Sequence, residues 1–159
     1  MRMSEEGALQ ALLAHHLALA GEASRKVADL RLAVASGQPY EEAAGEIVAF
    51  FTEEVAPHAA AEEHTVFRVA GTRFVLAPTV RKMTSEHRDL AALTEALAGA
   101  SSGLEALEVA ERLSAALADH LDKENEALLA RLKDEGRTSM AELLADVRYA
   151  TNRLRSQPA

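Results

Sequence analysis

Cysteine and tryptophan are absent from the 159 residues, and the aromatic side chains amount to four Phe and two Tyr. Without Cys, neither a disulfide-stapled secreted fold nor a thiolate zinc site can be built, and a thiol-free chain suits a reducing compartment. Basic residues are the minority, 17 against 25 acidic ones, for a net charge of -8. An acidic chain lacks the basic stripe that neutralises phosphates, which argues against nucleic acid and anionic membrane surfaces as partners. Long apolar runs are also missing, so no segment reads as a bilayer span. The opening MRMSEEGALQALLAHH places acids and then histidines where a secretory signal needs a continuous apolar stretch. The expectation is a soluble, cytoplasmic protein, one domain over residues 1–159.

Proline and glycine are few, four and eight, and most of them gather at four places: Ser36 to Tyr40, Arg68 to Pro78, Ala98 to Gly103 and Asp134 to Ser139. Between these breaks Ala, Leu, Glu and Arg dominate, the composition of helices joined by short turns. Short connections make successive helices antiparallel neighbours. The predicted fold is all-α, an up-and-down four-helix bundle (core about 5–133) with an additional C-terminal helix at about 139–155. That last helix carries Leu143, Leu144, Val147 and Leu154 on one face, which suits either capping the bundle or pairing two chains, so a monomer and a homodimer are both expected. Pro57 falls inside the second helical stretch, where it should bend the helix or free a carbonyl one turn earlier.

Four of the six histidines lie on the apolar stripes that mark core-facing sides. His16 follows Leu9, Leu12 and Leu13 and leads to Ala20 and Ala23; His58 follows Ile47, Phe51 and Val55; His87 lies between Met83 and Leu90; His120 follows Leu113 and Leu117. His15 sits on a ridge leading to Glu22, Lys26 and Asp29 and reads as solvent-facing, as does His64. Two helices add a glutamate one turn on, in His58-Ala-Ala-Ala-Glu62 and His120-Leu-Asp-Lys-Glu124, stacked on the same face. A single inward histidine is usually a satisfied core residue, and an isolated HxxxE is an ordinary helix pair. Four imidazoles and two carboxylates converging from four helices are costly to bury without a metal. Four nitrogen and two oxygen donors suit iron or manganese, with zinc next, and calcium or magnesium poorly. Six donors with two carboxylates able to bridge favour a dinuclear, di-iron site. Asp89, Asp119 and Thr84 are candidates to orient the imidazoles through their outer nitrogens.

At these residues the sequence resembles the hemerythrin-like HHE cation-binding family over roughly Leu9 to Leu132. The segments FFTEEVAPHAAAEEHTVF, MTSEHRDL and ADHLDKENEALL resemble its second-, third- and fourth-helix motifs. The resemblance implies His58, His87 and His120 as terminal ligands and Glu62 and Glu124 as bridging ligands of two non-haem iron ions with an oxo or hydroxo bridge, with manganese or zinc as substitutes. The first-helix ligand is assigned to His16 by its face. The oxygen-carrying members place an HxxxH pair on the third helix, whereas here the neighbours of His87 one turn away are Met83 and Ala91; the four-His, two-Glu set is closer to the iron-centre-repair type.

Fewer protein ligands leave more positions for a small molecule, and no phosphate loop or nucleophile beside a base provides for a larger substrate. The expected function is binding or sensing of O2, NO or peroxide, in oxidative or nitrosative stress or in iron handling. The alternatives are a di-iron oxidoreductase that reduces NO or decomposes peroxide with turnover, and a metal-free helical interaction protein. The Glu-x-x-His spacing of ferritin-like oxidases is absent before all six histidines.

Overall fold

The computed structural model describes residues 3–157 and is helical throughout, without a strand among them. Helix α1 runs Glu5–Ala35, with the Ser4 hydroxyl accepting from the Gly7 N–H and Glu5 and Glu6 in its first turn, the chemistry that satisfies and complements a helix N-terminus. The second stretch comprises α2 (Glu41–Phe50), a π-turn (Phe51–Val55), α3 (Ala56–His64) and α4 (Val66–Gly71). Helix α5 spans Ala77–Ala98 with Pro78 in its first turn, where the missing N–H costs nothing. Helix α6 spans Gly103–Glu124 behind the Ser102 cap and continues through a second π-turn (Asn125–Leu129) into α7 (Ala130–Glu135). Helix α8 (Met140–Arg155) is capped by Ser139. The turn between α7 and α8 passes through Gly136 at φ 64°, a conformation other residues adopt only with strain.

The expected breaks fall where the helices end, but the second stretch is not one continuous helix. Thr65 leaves helical geometry at φ -123°, ψ -84°, and its hydroxyl donates to the Ala61 carbonyl at 2.7 Å. Pro57 lies in the first turn of α3. The π-turn just before it widens the helix, with the Ala56 N–H reaching back five residues to the Phe51 carbonyl. The second π-turn has the same form, Ala130 N–H to Asn125 carbonyl.

The core is two apolar clusters. One gathers Leu19, Val27, Leu30, Ile47, Phe51, Val55, Leu90, Leu113 and Leu117 with their neighbours. The other gathers Leu9, Leu12, Val66, Phe67, Met83, Leu128 and Leu132 with Met140, Leu143, Leu144 and Val147 of α8. Helix α8 therefore spends its apolar face on this chain, packing against α1 and α3, while Leu154 stays half-buried. Each helix crosses from one cluster to the other through a polar residue: Leu12 to Leu19 by way of His16, Val55 to Val66 by His58 and Glu62, Met83 to Leu90 by His87, Leu117 to Leu128 by His120 and Glu124. No helix among the described residues is long and apolar enough to cross a membrane.

Leu113 is wholly buried in the first cluster. Leu113→Ala is expected to lower the free energy of unfolding by about 2 to 5 kcal/mol in a denaturant titration. A change below about 1 kcal/mol would show that this face of α6 is not core.

Candidate metal centre

The polar layer between the clusters holds His16, His58, Glu62, His87, His120 and Glu124, none more than 9% exposed. One group forms where α1 meets α3. His16 Nε2 lies 3.0 Å from Glu62 Oε1, His58 Nε2 lies 2.6 Å from the same oxygen, and the two imidazole nitrogens are 3.2 Å apart. A second group forms where α3, α5 and α6 meet, with His87 Nε2 and His120 Nε2 2.9 Å apart and Glu62 Oε2 3.7 Å from the former. Both groups are arranged so that three donors could hold one cation, and Glu62 belongs to each, one oxygen turned to either side. Glu124 stands beside the second group, its Oε2 3.7 Å from His120 Nε2, with both carboxylate oxygens buried and unpartnered.

The outer nitrogens decide what the inner ones present. His16 Nδ1 donates to Asn125 Oδ1 at 2.6 Å, His87 Nδ1 to Glu63 Oε1 at 2.9 Å and His120 Nδ1 to Glu86 Oε2 at 2.8 Å. With its proton held outside, an imidazole in its neutral form turns a lone pair inward. His87 and His120 thus face each other lone pair to lone pair, and His16 faces a carboxylate oxygen. Such an arrangement is repulsive unless protons or cations lie between the acceptors.

Protonation behaviour follows the same geometry. Burial works against the His16 imidazolium, but the Glu62 carboxylate and the Asn125 amide outweigh it and raise its pKa. Burial also opposes the Glu62 anion, yet the His58 and His16 rings hold it well below the usual carboxylate range. Glu124 has no such partner; burial first, and then the neighbouring Glu62 charge, push it well above that range. His120 is lowered by burial and by His87. Two carboxylates in one dry layer with only one stabilised as an anion is a deficit of positive charge, and a cation set among nitrogen and oxygen donors removes it. The donor set fits a transition metal of intermediate softness, and the separations of 2.6 to 3.7 Å bracket the about 3 Å between adjacent ligands on an ion with bonds near 2.1 Å.

The orienting residues differ from the candidates taken from the sequence. Asp119 pairs with Lys123, the Thr84 hydroxyl returns to the Val80 carbonyl, and Asp89 is exposed. The acceptors are instead Asn125, Glu63 and Glu86, and Lys123 donates to Glu86 at 3.1 Å. Each of the three sits next in sequence to one layer residue and serves a layer residue on another helix: Glu63 on α3 serves α5, Glu86 on α5 serves α6, Asn125 after α6 serves α1. His15 also departs from the sequence reading. It is half-buried, its ring edge-on to His58 with centroids 4.7 Å apart, and burial, with His58 and His16 nearby, lowers its pKa to about 4. His64 is exposed as expected.

Two clefts reach the layer. One, of about 200 Å³, opens between the first π-turn and α5 and is lined by Phe51, Val55, Leu90, Ala91 and Thr94 with His87 among them. The other, of about 320 Å³, lies between α1 and α8 and reaches His58.

Comparison with protein families matches residues 5–132 to the Hemerythrin HHE cation binding domain. Comparison with curated proteins and with solved structures gives no match.

The raised Glu124 pKa gives a test on metal-free protein. A buried acid that binds its proton more tightly when folded contributes stability below the unfolded pKa of about 4.5, and that contribution is lost as pH rises. Metal-free Glu124→Gln is therefore expected to exceed the metal-free parent in stability by a margin that widens from pH 5 to pH 8 in thermal or urea unfolding. A margin independent of pH would mean that Glu124 ionises without penalty.

Proposed function

The chain belongs to the hemerythrin HHE cation-binding family, and from that premise we propose that it is a non-haem di-iron protein that binds or senses O2, NO or peroxide. The residues that would hold the two ions are His16, His58, Glu62, His87, His120 and Glu124, with Glu62 common to both groups and Glu124 beside the second. The observation that supports this most directly is the inward set of acceptors: imidazole lone pairs facing one another or a carboxylate at 2.9 to 3.0 Å, their protons held outside by Asn125, Glu63 and Glu86. Two cations would satisfy this set, and Glu62 has one oxygen turned to each group.

When bound, a pair of irons supplies reversible redox change and positions for a small ligand. The chain's own residues do the rest. Lys123 fixes Glu86, Glu86 fixes the His120 ring, and Phe67 stacks on His87 with centroids 5.1 Å apart and planes 13° from parallel. These contacts hold the donors in place before any ligand arrives, which lowers the reorganisation needed on binding. Phe51, Val55, Leu90 and Ala91 make the cleft at His87 apolar, so it admits small uncharged molecules and disfavours ions and bulky polar substrates. At Ala91, one turn beyond His87, the small side chain lies on the exposed side of α5 and leaves that approach open. A cytoplasmic role in oxidative or nitrosative stress or in iron handling accords with these properties.

Protein purified without chelators is expected to carry about two irons per chain, and the Glu62→Ala, Glu124→Ala double variant few, by elemental analysis. Ferrous protein is then expected to change its visible spectrum on exposure to O2, NO or peroxide. A parent that stays folded, carries no metal and refuses added ferrous iron would overturn the proposal.

A further inference from the structure

Three of the four layer histidines have an acceptor for the outer nitrogen, and His58 does not: its Nδ1 is buried and unpartnered, although the residue is only 2% exposed. His58 Nε2 is turned to Glu62 and His16, and once that nitrogen gives its lone pair to a metal the proton sits on Nδ1, which then needs an acceptor. In the pattern of the other three, that acceptor would come from a residue beside a layer residue on the adjoining helix. On α1 that position is His15, which packs edge-on against His58 without a hydrogen bond to it.

The missing acceptor coincides with a cleft. His58 lines the space of about 320 Å³ between α1 and α8, roughly ten water molecules' worth of volume. Its polar lining is His15, His58, Arg148, Thr151, Asn152 and Arg155, with no acidic residue. The Thr151 hydroxyl is committed to the Val147 carbonyl at 2.8 Å and Arg155 pairs with Glu54, whereas Arg148 forms no ion pair among the described residues. The wall carrying these cations is α8 (Met140–Arg155), which lies beyond the family match at residues 5–132. A guanidinium and an amide lining a cavity that holds a buried imidazole short of an acceptor is the complement of a carboxylate.

We propose that the α1–α8 cleft binds a small carboxylate anion, one oxygen accepting from His58 Nδ1–H and the charge met by Arg148, so that the anion completes the set of partners around the metal layer. The inference rests on the reading of His58 as a metal ligand. Occupancy strengthens the imidazole as a donor, because a hydrogen bond from Nδ1–H to an anion makes Nε2 more basic. The carboxylate is therefore a modulator of the centre that acts from outside it.

The test titrates acetate into metal-loaded full-length protein by calorimetry at constant ionic strength, with chloride as control and metal content measured on the same samples. The expected result is saturable acetate binding that Arg148→Ala weakens about tenfold or more, with metal content unchanged, and that Arg148→Lys partly restores. Loaded protein that binds no acetate, or binds it equally with and without Arg148, overturns the inference and leaves the metal reading standing. Protein that takes up no metal overturns the metal reading, and the inference with it.

Discussion

The structure turns on an electrostatic conflict placed in the middle of a small helical bundle. The inner nitrogens of His16, His87 and His120, acceptors once the outer ring nitrogens are protonated, face one another or a carboxylate oxygen across about 3 Å, and both oxygens of Glu124 lie buried without a donor. Side chains in a hydrocarbon-like interior normally avoid this, because an acceptor taken from water without a donor loses its solvation for nothing. Here the helices impose it. Large apolar side chains above and below the layer pack α1, α3, α5 and α6 at the distances that bring the six groups together.

Division of labour within the core follows from that. The first cluster binds α1, α2, α5 and α6 into a bundle without reference to the polar layer, while the second also has to hold α8 across α1 and α3. The layer between them is stiffened by links that run from helix to helix: Glu63 to His87, Glu86 to His120, Asn125 to His16. Each link makes the position of one donor depend on its neighbour's helix, so the donors are set as a group. This is the preorganisation that a site for small ligands requires.

The bundle and the burial of the six layer residues were legible because both are written in 3.6-residue periodicity. His16, His58, His87 and His120 replace apolar residues at positions where the stripe continues on either side, and Glu62 and Glu124 fall one turn later. What periodicity cannot express is contact between distant segments. His15 lies on a ridge that is solvent-facing within α1, and it is half-buried because α3 and α8 lie against that side of the helix. Glu63, Glu86 and Asn125 look like ordinary surface residues of their own helices, and only the arrangement of neighbours shows what they reach. The π-turns were equally hidden. Pro57 signalled a local irregularity, since its ring and missing N–H are incompatible with a regular turn, but nothing comparable stands in the Asn125–Leu129 segment.

Those two turns bear on how the length of this chain can change. A π-turn closes its hydrogen bond over five residues where the α-helix closes it over four, so each is a helix carrying one residue in surplus. Removing a residue from an ordinary helical segment turns everything after it by about 100°, which would swing a histidine out of the layer. Removing one from Phe51–Val55 or Asn125–Leu129 discards the surplus and leaves the faces on both sides in phase. The two segments are thus the points in α2–α3 and α6–α7 where a single-codon deletion is geometrically neutral, one just ahead of His58 and the other just behind Glu124.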